Sequence, residues 1–229
     1  MPVEPPATAW QLAAAPAYHP GELWAIGADL EPGTLLAAYR LGLFPMPVEE
    51  TIGWFSPTRR AVVPLAGYRP SRSVRRDAAG FEIRIDTSFR QVMESCARPG
   101  APESWIDDGF VDAYDRLREL GWCHSVEAWD DEGLAGGLYG VAIGGLFAAE
   151  SMFFARSGAS KAAFAALLRR LQEAGDADAD VRLLDVQWLT PHLATLGAVE
   201  ISRAEYESRL GPALVLTSPF EGEASLAAT

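Results

Sequence analysis

Apolar residues along this chain change their spacing several times, and each change marks an element. From residue 81, FEIRID alternates apolar and polar side chains, the mark of a half-buried strand. TSFRQVMESCA and DDGFVDAYDRLRELG then carry apolar residues at helical spacing, the first with Thr87 as its expected cap and the second closed by Gly121. HSVEAW, LAGGLYGVAI and LFAAESMFF follow as strands, with turns at Asp130 to Gly133 and at Gly144-Gly145, and predict a three-stranded antiparallel meander. A long helix opens at Ser160-Lys161-Ala162 and runs to Gly175, and RLLDVQ is a short buried strand after it. Thr190-Pro191 has the cap-then-proline pattern of a helix start, and Ser202 with Glu205 makes a capping box for AEYESRL. This order predicts an α+β fold with a mixed, largely antiparallel sheet.

The first third reads differently. Residues 1–20 are rich in Pro and Ala, after which Glu31-Pro32-Gly33-Thr34 offers a turn and an N-cap at Thr34 for a short helix that should stop at Gly42. LFPMPV and WFSPTRRAVVPL carry prolines at 45, 47, 57 and 64, which exclude long regular elements and favour extended, turn-linked segments. We therefore expect a small N-terminal domain over residues 1–66 and a larger one over 67–229. The order of elements in the larger part resembles the acetyltransferase-like (GNAT-like) sheet. The loop that would cradle a CoA pyrophosphate there, FFARSGASK, has one glycine where a glycine-rich turn is expected, so CoA has no evident seat.

Composition narrows the classes. A chain of 229 residues with 49% hydrophobic content can bury a substantial core. It has no run near the roughly 18 apolar residues of a membrane span, and MPVEPPATAW lacks the basic and apolar regions of a signal peptide, so a cytoplasmic protein is expected. Cys96 and Cys123 have no CxxC or histidine pattern around them, and three histidines in all argue against a metal site; no metal and no cofactor is expected. A net charge of −12 argues against nucleic acid until its distribution is seen: Arg59, Arg60, Arg69, Arg72, Arg75 and Arg76 fall within a short stretch and make a local basic patch. That patch reads equally as a solvated linker.

Several residues carry candidate chemistry. Gly136, Gly137 and Gly140 leave one hairpin strand bare, which either admits a ligand or relieves packing. Leu138, Phe147 and Met152 are apolar neighbours of adaptable shape that also suit an ordinary core. Glu150, a carboxylate inside an apolar strand, needs a partner, a pocket or water. Asp185 and Gln187 stand two apart on a strand and so share a face, where the acid can accept a hydrogen bond from the Gln side-chain amide and aim its oxygen; a satisfied polar pair at a strand end is the alternative. His124 and Ser125 are strand neighbours pointing to opposite faces and make no catalytic pair. Trp54, Phe55, Trp105 and Tyr114 lie outside aliphatic runs, which suits rings stacked on a base as well as core anchors.

Together, GELWAIGADL, LLAAYRLGLFPM, WFSPTRRAVVPL, SRSVRR, SWIDDGFVDAYDRLRELG, HSVEAW, GGLYGVAIGGLFAAESMF, ASKAAF, LLDVQWLTPHLATLGA and ISRAEY resemble the leucyl/phenylalanyl-tRNA-protein transferases over residues 20–210. The resemblance implies transfer of Leu or Phe, and less well Met, from aminoacyl-tRNA to an N-terminal Arg or Lys of a protein, marking it for degradation. It implies a side-chain pocket of Leu138, Phe147, Met152, Phe164, Leu167 and Leu184, and a terminal adenosine against Trp54, Phe55, Trp105 and Tyr114. It further implies a polar centre of Glu150, Asp185 and Gln187, and a tRNA grip by the Arg59 to Arg76 cluster. Met46, Thr190 and Trp122-Cys123 depart from the usual family residues. The competing classes are an acyltransferase with another donor, which acetyl-CoA titration would reveal, and a non-catalytic RNA-binding module, which would need no Glu150, Asp185 and Gln187 together.

Overall fold

A computed structural model describes residues 1–70, 74, 76, 78, 80–98, 105–174 and 178–221. Among these, strands β1 (Leu23–Ile26), β2 (Phe44–Val48) and β3 (Thr51–Phe55) form a small antiparallel sheet in the order β1-β3-β2. Seven strands form the main sheet: β4 (Arg59–Val63), β5 (Glu82–Ile85), β6 (Cys123–Asp130), β7 (Gly133–Ile143), β8 (Leu146–Phe154), β9 (Leu183–Gln187) and β10 (Val199–Ser202). Their order is β10-β4-β9-β8-β7-β6-β5. All neighbours are antiparallel except β8 and β9, so the fold is α+β with the mixed, largely antiparallel sheet that the pattern predicts.

The meander β6-β7-β8 is as expected, and its glycines serve packing. A Cβ on Gly140 would sit 2.3 Å from the Ala148 carbonyl oxygen, and one on Gly136 would sit 2.7 Å from the Ala159 Cβ. The bare strand therefore lets chain and helix approach closely. Six helices accompany the sheets among the described residues: α1 (Pro32–Arg40), α2 (Phe89–Ala97), α3 (Asp108–Glu119), α4 (Ala159–Glu173), α5 (Pro191–Thr195) and α6 (Arg203–Leu214). Gly42 and Gly121, both at positive φ, end α1 and α3 as read. Asp107, Thr190 and Ser202 accept backbone N–H bonds from Phe110, Leu193 and Glu205 and cap α3, α5 and α6.

Two caps were misread. Helix α1 starts earlier, with Pro32 in its first turn, and the Thr34 hydroxyl bonds that of Thr8 at 2.7 Å. Thr87 precedes the N-cap position, held by Ser88, and gives its hydroxyl to the buried Glu127 carboxylate. Glu127 also accepts from Ser88 N–H at 2.7 Å, the Ser125 hydroxyl at 2.8 Å and the Trp129 indole at 2.9 Å, so its charge is fully satisfied. The predicted end of α4 at Gly175 lies outside the described residues.

Apolar residues line both faces of the main sheet. One cluster joins α1, α2 and α3 through Leu35, Tyr39, Val92, Phe110, Tyr114 and Tyr139, and so ties the first third to the rest. The other lies under α4 and includes Leu138, Phe147, Phe164, Leu167 and Leu184. Strand β4 enters the main sheet between β10 and β9, which brings Arg60 beside β9. The chain's start is pinned as well: the buried Arg203 donates to the carbonyls of His19 at 2.7 Å, Gly21 at 2.6 Å and Ser56.

Candidate active site

The site lies at the end of β9, where the strand stops being a strand. Gln187 has φ +57°, a left-handed conformation that costs a residue with a side chain free energy. What holds it there is Asp185, whose Oδ1 accepts the Gln187 backbone N–H at 3.0 Å. The Asp185 carboxylate is fully buried and takes two bonds from Arg60, at 2.8 and 2.5 Å, and one from the Tyr206 hydroxyl at 2.9 Å. Arg60 is itself buried, lies over the rings of Phe44 and Tyr206, and donates a third bond to the Gly42 carbonyl. A buried bidentate pair in which each guanidinium nitrogen and both carboxylate oxygens have a partner is a rigid anchor.

This geometry corrects the expectation that Asp185 orients the Gln187 side chain. The acid holds the backbone, and the side-chain amide turns away, donating from Nε2 to Glu150 Oε1 at 3.1 Å. Glu150, on β8, also receives the Tyr114 hydroxyl at 3.4 Å, which in turn shares a proton with the Tyr39 hydroxyl at 2.5 Å. Glu150 keeps part of its surface at a cavity wall, but its carboxyl is packed among these groups. Burial drives its pKa up to about 8; the Asp185 charge adds to the rise, while Tyr39, Arg60 and Tyr114 oppose it. At neutral pH it therefore holds its proton most of the time.

Two cavities of 210 Å³ meet at Glu150 and Gln187. The first is aromatic, with Phe44, Met46, Trp105 and Trp188 around it. The second contains Met152, Ser151, Arg98 and His192. Val186, Thr190 and Leu193 line both. The larger cavity of 570 Å³, between the N-terminal segment and α3, lies away from this chemistry and includes none of these residues.

Of the four aromatic residues expected at a nucleobase, Trp105 lines the first cavity, and Phe55 stands behind it, edge-on to Trp188. Trp54 is 1% exposed, with its indole N–H bound to the Gly27 carbonyl, and offers no face for stacking. Tyr114 is 0% exposed and contributes its hydroxyl to Glu150 instead. Phe44 and Trp188 take part where sequence reading passed them over, and Met46, noted there only as a departure from the family, lines the cavity with them. Trp188 follows Gln187 directly, and the reversal at Gln187 decides where its ring goes.

The expected side-chain pocket is closed. Leu138, Phe147, Phe164, Leu167 and Leu184 do come together, each no more than 1% exposed, in the cluster under α4. Met152 packs on that cluster and is the one of the six that also lines the second cavity. In the arginine patch, Arg60 is withdrawn by its pairing with Asp185 and is unavailable to a phosphate. Arg59, Arg69 and Arg76 are exposed, Arg59 pairing with Glu200 at 3.5 Å; Arg72 and Arg75 lie outside the described residues.

Comparison with known proteins identifies the family. Residues 62–211 match the model of the leucyl/phenylalanyl-tRNA protein transferase family, and residues 28–58 match that of its N-terminal domain. A leucyl/phenylalanyl-tRNA–protein transferase of Chlorobium limicola is 46% identical over 194 residues, covering 82% of this chain and 97% of its own. That of Chlorobium phaeobacteroides is 50% identical over 79% of this chain and 93% of its own, and that of Herpetosiphon aurantiacus 44% identical over 83% and 98%. With both family models matched and relatives 44 to 50% identical over most of the chain, it belongs to the leucyl/phenylalanyl-tRNA–protein transferase family.

Proposed function

We propose that this protein transfers Leu or Phe, and less well Met, from aminoacyl-tRNA to the free α-amine of a protein that begins with Arg or Lys, in the cytoplasm, producing a degradation signal. The observation that carries the reading is the hydrogen bond from Gln187 Nε2 to Glu150 at the seam of the two cavities, in a chain of this family. With its N–H₂ committed to Glu150, the Gln187 amide leaves its oxygen free to accept an N–H from an incoming amine.

The amine nitrogen attacks the ester carbonyl, the bond to the ribose oxygen breaks, and the proton lost by nitrogen passes to that oxygen through the neighbouring ribose hydroxyl. Ester to amide is downhill, so alignment is what the protein must supply, and this contributes roughly 7 to 11 kcal/mol to such reactions. The aromatic cavity of Phe44, Trp105 and Trp188 suits a terminal adenosine held by stacking. Glu150, protonated in the free site, ionises as the cationic first residue of the acceptor arrives and then attracts it. Met152 is the entrance, and the side-chain pocket forms when a donor side chain displaces it towards the closed cluster of Leu138, Phe147, Phe164, Leu167 and Leu184. Arg59, Arg69 and Arg76 supply the grip on the tRNA acceptor arm, and Arg72 and Arg75 belong to the same arginine-rich stretch of sequence.

The test is incubation with labelled Leu-tRNA and a peptide beginning with Arg, beside the same peptide beginning with acetyl-Arg. Label should reach the free amine alone. Equal labelling of both peptides, or of neither, would reject the reading.

A further inference from the structure

Phe220 lies beyond the residues that the family model matches, yet it belongs to the same apolar cluster as the proposed side-chain pocket. It is 3% exposed, and its ring stands 5.3 Å from that of Phe147. The segment that brings it there is firmly held. Arg170 donates to the Pro219 carbonyl at 2.7 Å and lays its guanidinium over the Phe220 ring at 4.7 Å. Arg182 donates to the Thr217 carbonyl at 3.0 Å. On its other side Phe220 stacks on His124 at 4.5 Å, and His124 is fixed by Asp86 at 2.6 Å.

Phe147 is thus wedged between two walls. One is the bare backbone of Gly140, where an added Cβ would meet the Phe147 ring at 2.5 Å; the other is Phe220. Since Leu138, Phe147, Phe164, Leu167 and Leu184 are each no more than 1% exposed, a donor side chain entering past Met152 reaches them when a neighbouring group yields. Met152 is unbranched and partly exposed and moves first. A longer side chain then presses on Phe147, whose ring is backed by the Gly140 backbone on one side and by Phe220 on the other.

We propose that Phe220 is the floor of the aminoacyl side-chain pocket and sets the ratio at which Phe and Leu are transferred. The proposal rests on the functional reading above and adds to it a residue outside the family's matched span. Replacing Phe220 by the smaller Leu gives Phe147 room, and the ratio of kcat/KM for Phe-tRNA to that for Leu-tRNA should rise about tenfold, the scale of one or two methylene groups in an apolar pocket. Phe220→Met, about as small as Leu but unbranched, is the reserve variant should Phe220→Leu fail to fold, and its ratio should rise at least about threefold because Met leaves Phe147 room and yields easily. Both are measured as purified full-length chains whose folding is checked by thermal unfolding. A ratio within a factor of two of wild type in the folded variant overturns the proposal while the transfer reading stands. Should wild type transfer neither residue, that reading fails and this proposal with it.

Discussion

At the scale of single residues, the site is organised by two carboxyl groups with opposite fates. Asp185 is spent on Arg60, Tyr206 and the Gln187 backbone; Glu150 is desolvated, which pushes its pKa up to about 8. Removing Arg60 would strand a buried charge, so Arg60→Ala should destabilise by about 3 to 5 kcal/mol in urea unfolding. Tyr206→Phe removes one hydroxyl from the same acid and should cost about 1 kcal/mol. Gln187→Ala should lower kcat about a hundredfold with little change in the binding of Leu-tRNA, as loss of alignment does. Glu150 gives a pH signature. A carboxyl whose pKa is raised on folding stabilises the protein fully below its unfolded value of about 4.5, and that contribution is lost as pH rises towards about 8. Glu150→Gln should flatten the fall in Tm across this window; an unchanged slope would mean that Glu150 is not the buried acid described.

At the scale of elements, Gly140 and β9 decide the geometry. Strand β7 tolerates no side chain at Gly140, because the Ala148 carbonyl of the neighbouring strand occupies that space. Gly140→Ala should therefore destabilise by about 1 to 3 kcal/mol and loosen the Phe147 ring, which urea unfolding and the yield of folded protein would report. The glycine run, the meander and the caps at Thr190 and Ser202 were legible because period, turn residues and capping boxes are local signals. Strand β10 was missed: its four residues read simply as the approach to the Ser202 cap, and its strand character comes from pairing with β4. The direction of the Gln187 side chain was also hidden, since strand alternation assumes extended backbone and Gln187 is left-handed.

At the scale of the whole molecule, the proposed tRNA grip is a local basic patch on a protein with a net charge of −12. Binding should weaken steeply with salt, and Arg69→Ala should reduce the slope of log K against log salt by about 0.7 to 0.9. The same substitution at Arg60 should act on stability instead, because that side chain faces Asp185. The linear order of residues was enough to determine the fold class, the meander and the family, for these depend on periodicity, turn chemistry and ordered motifs. What it could not determine was pairing between distant segments. Arg60 looked like any other arginine of its cluster until β4 entered the main sheet beside β9, and Tyr206 and Phe220 gained their roles only when α6 and the last described segment folded over the sheet. A buried charge must find a partner, but which of many candidates it finds is decided by how strands far apart in the chain come to lie side by side.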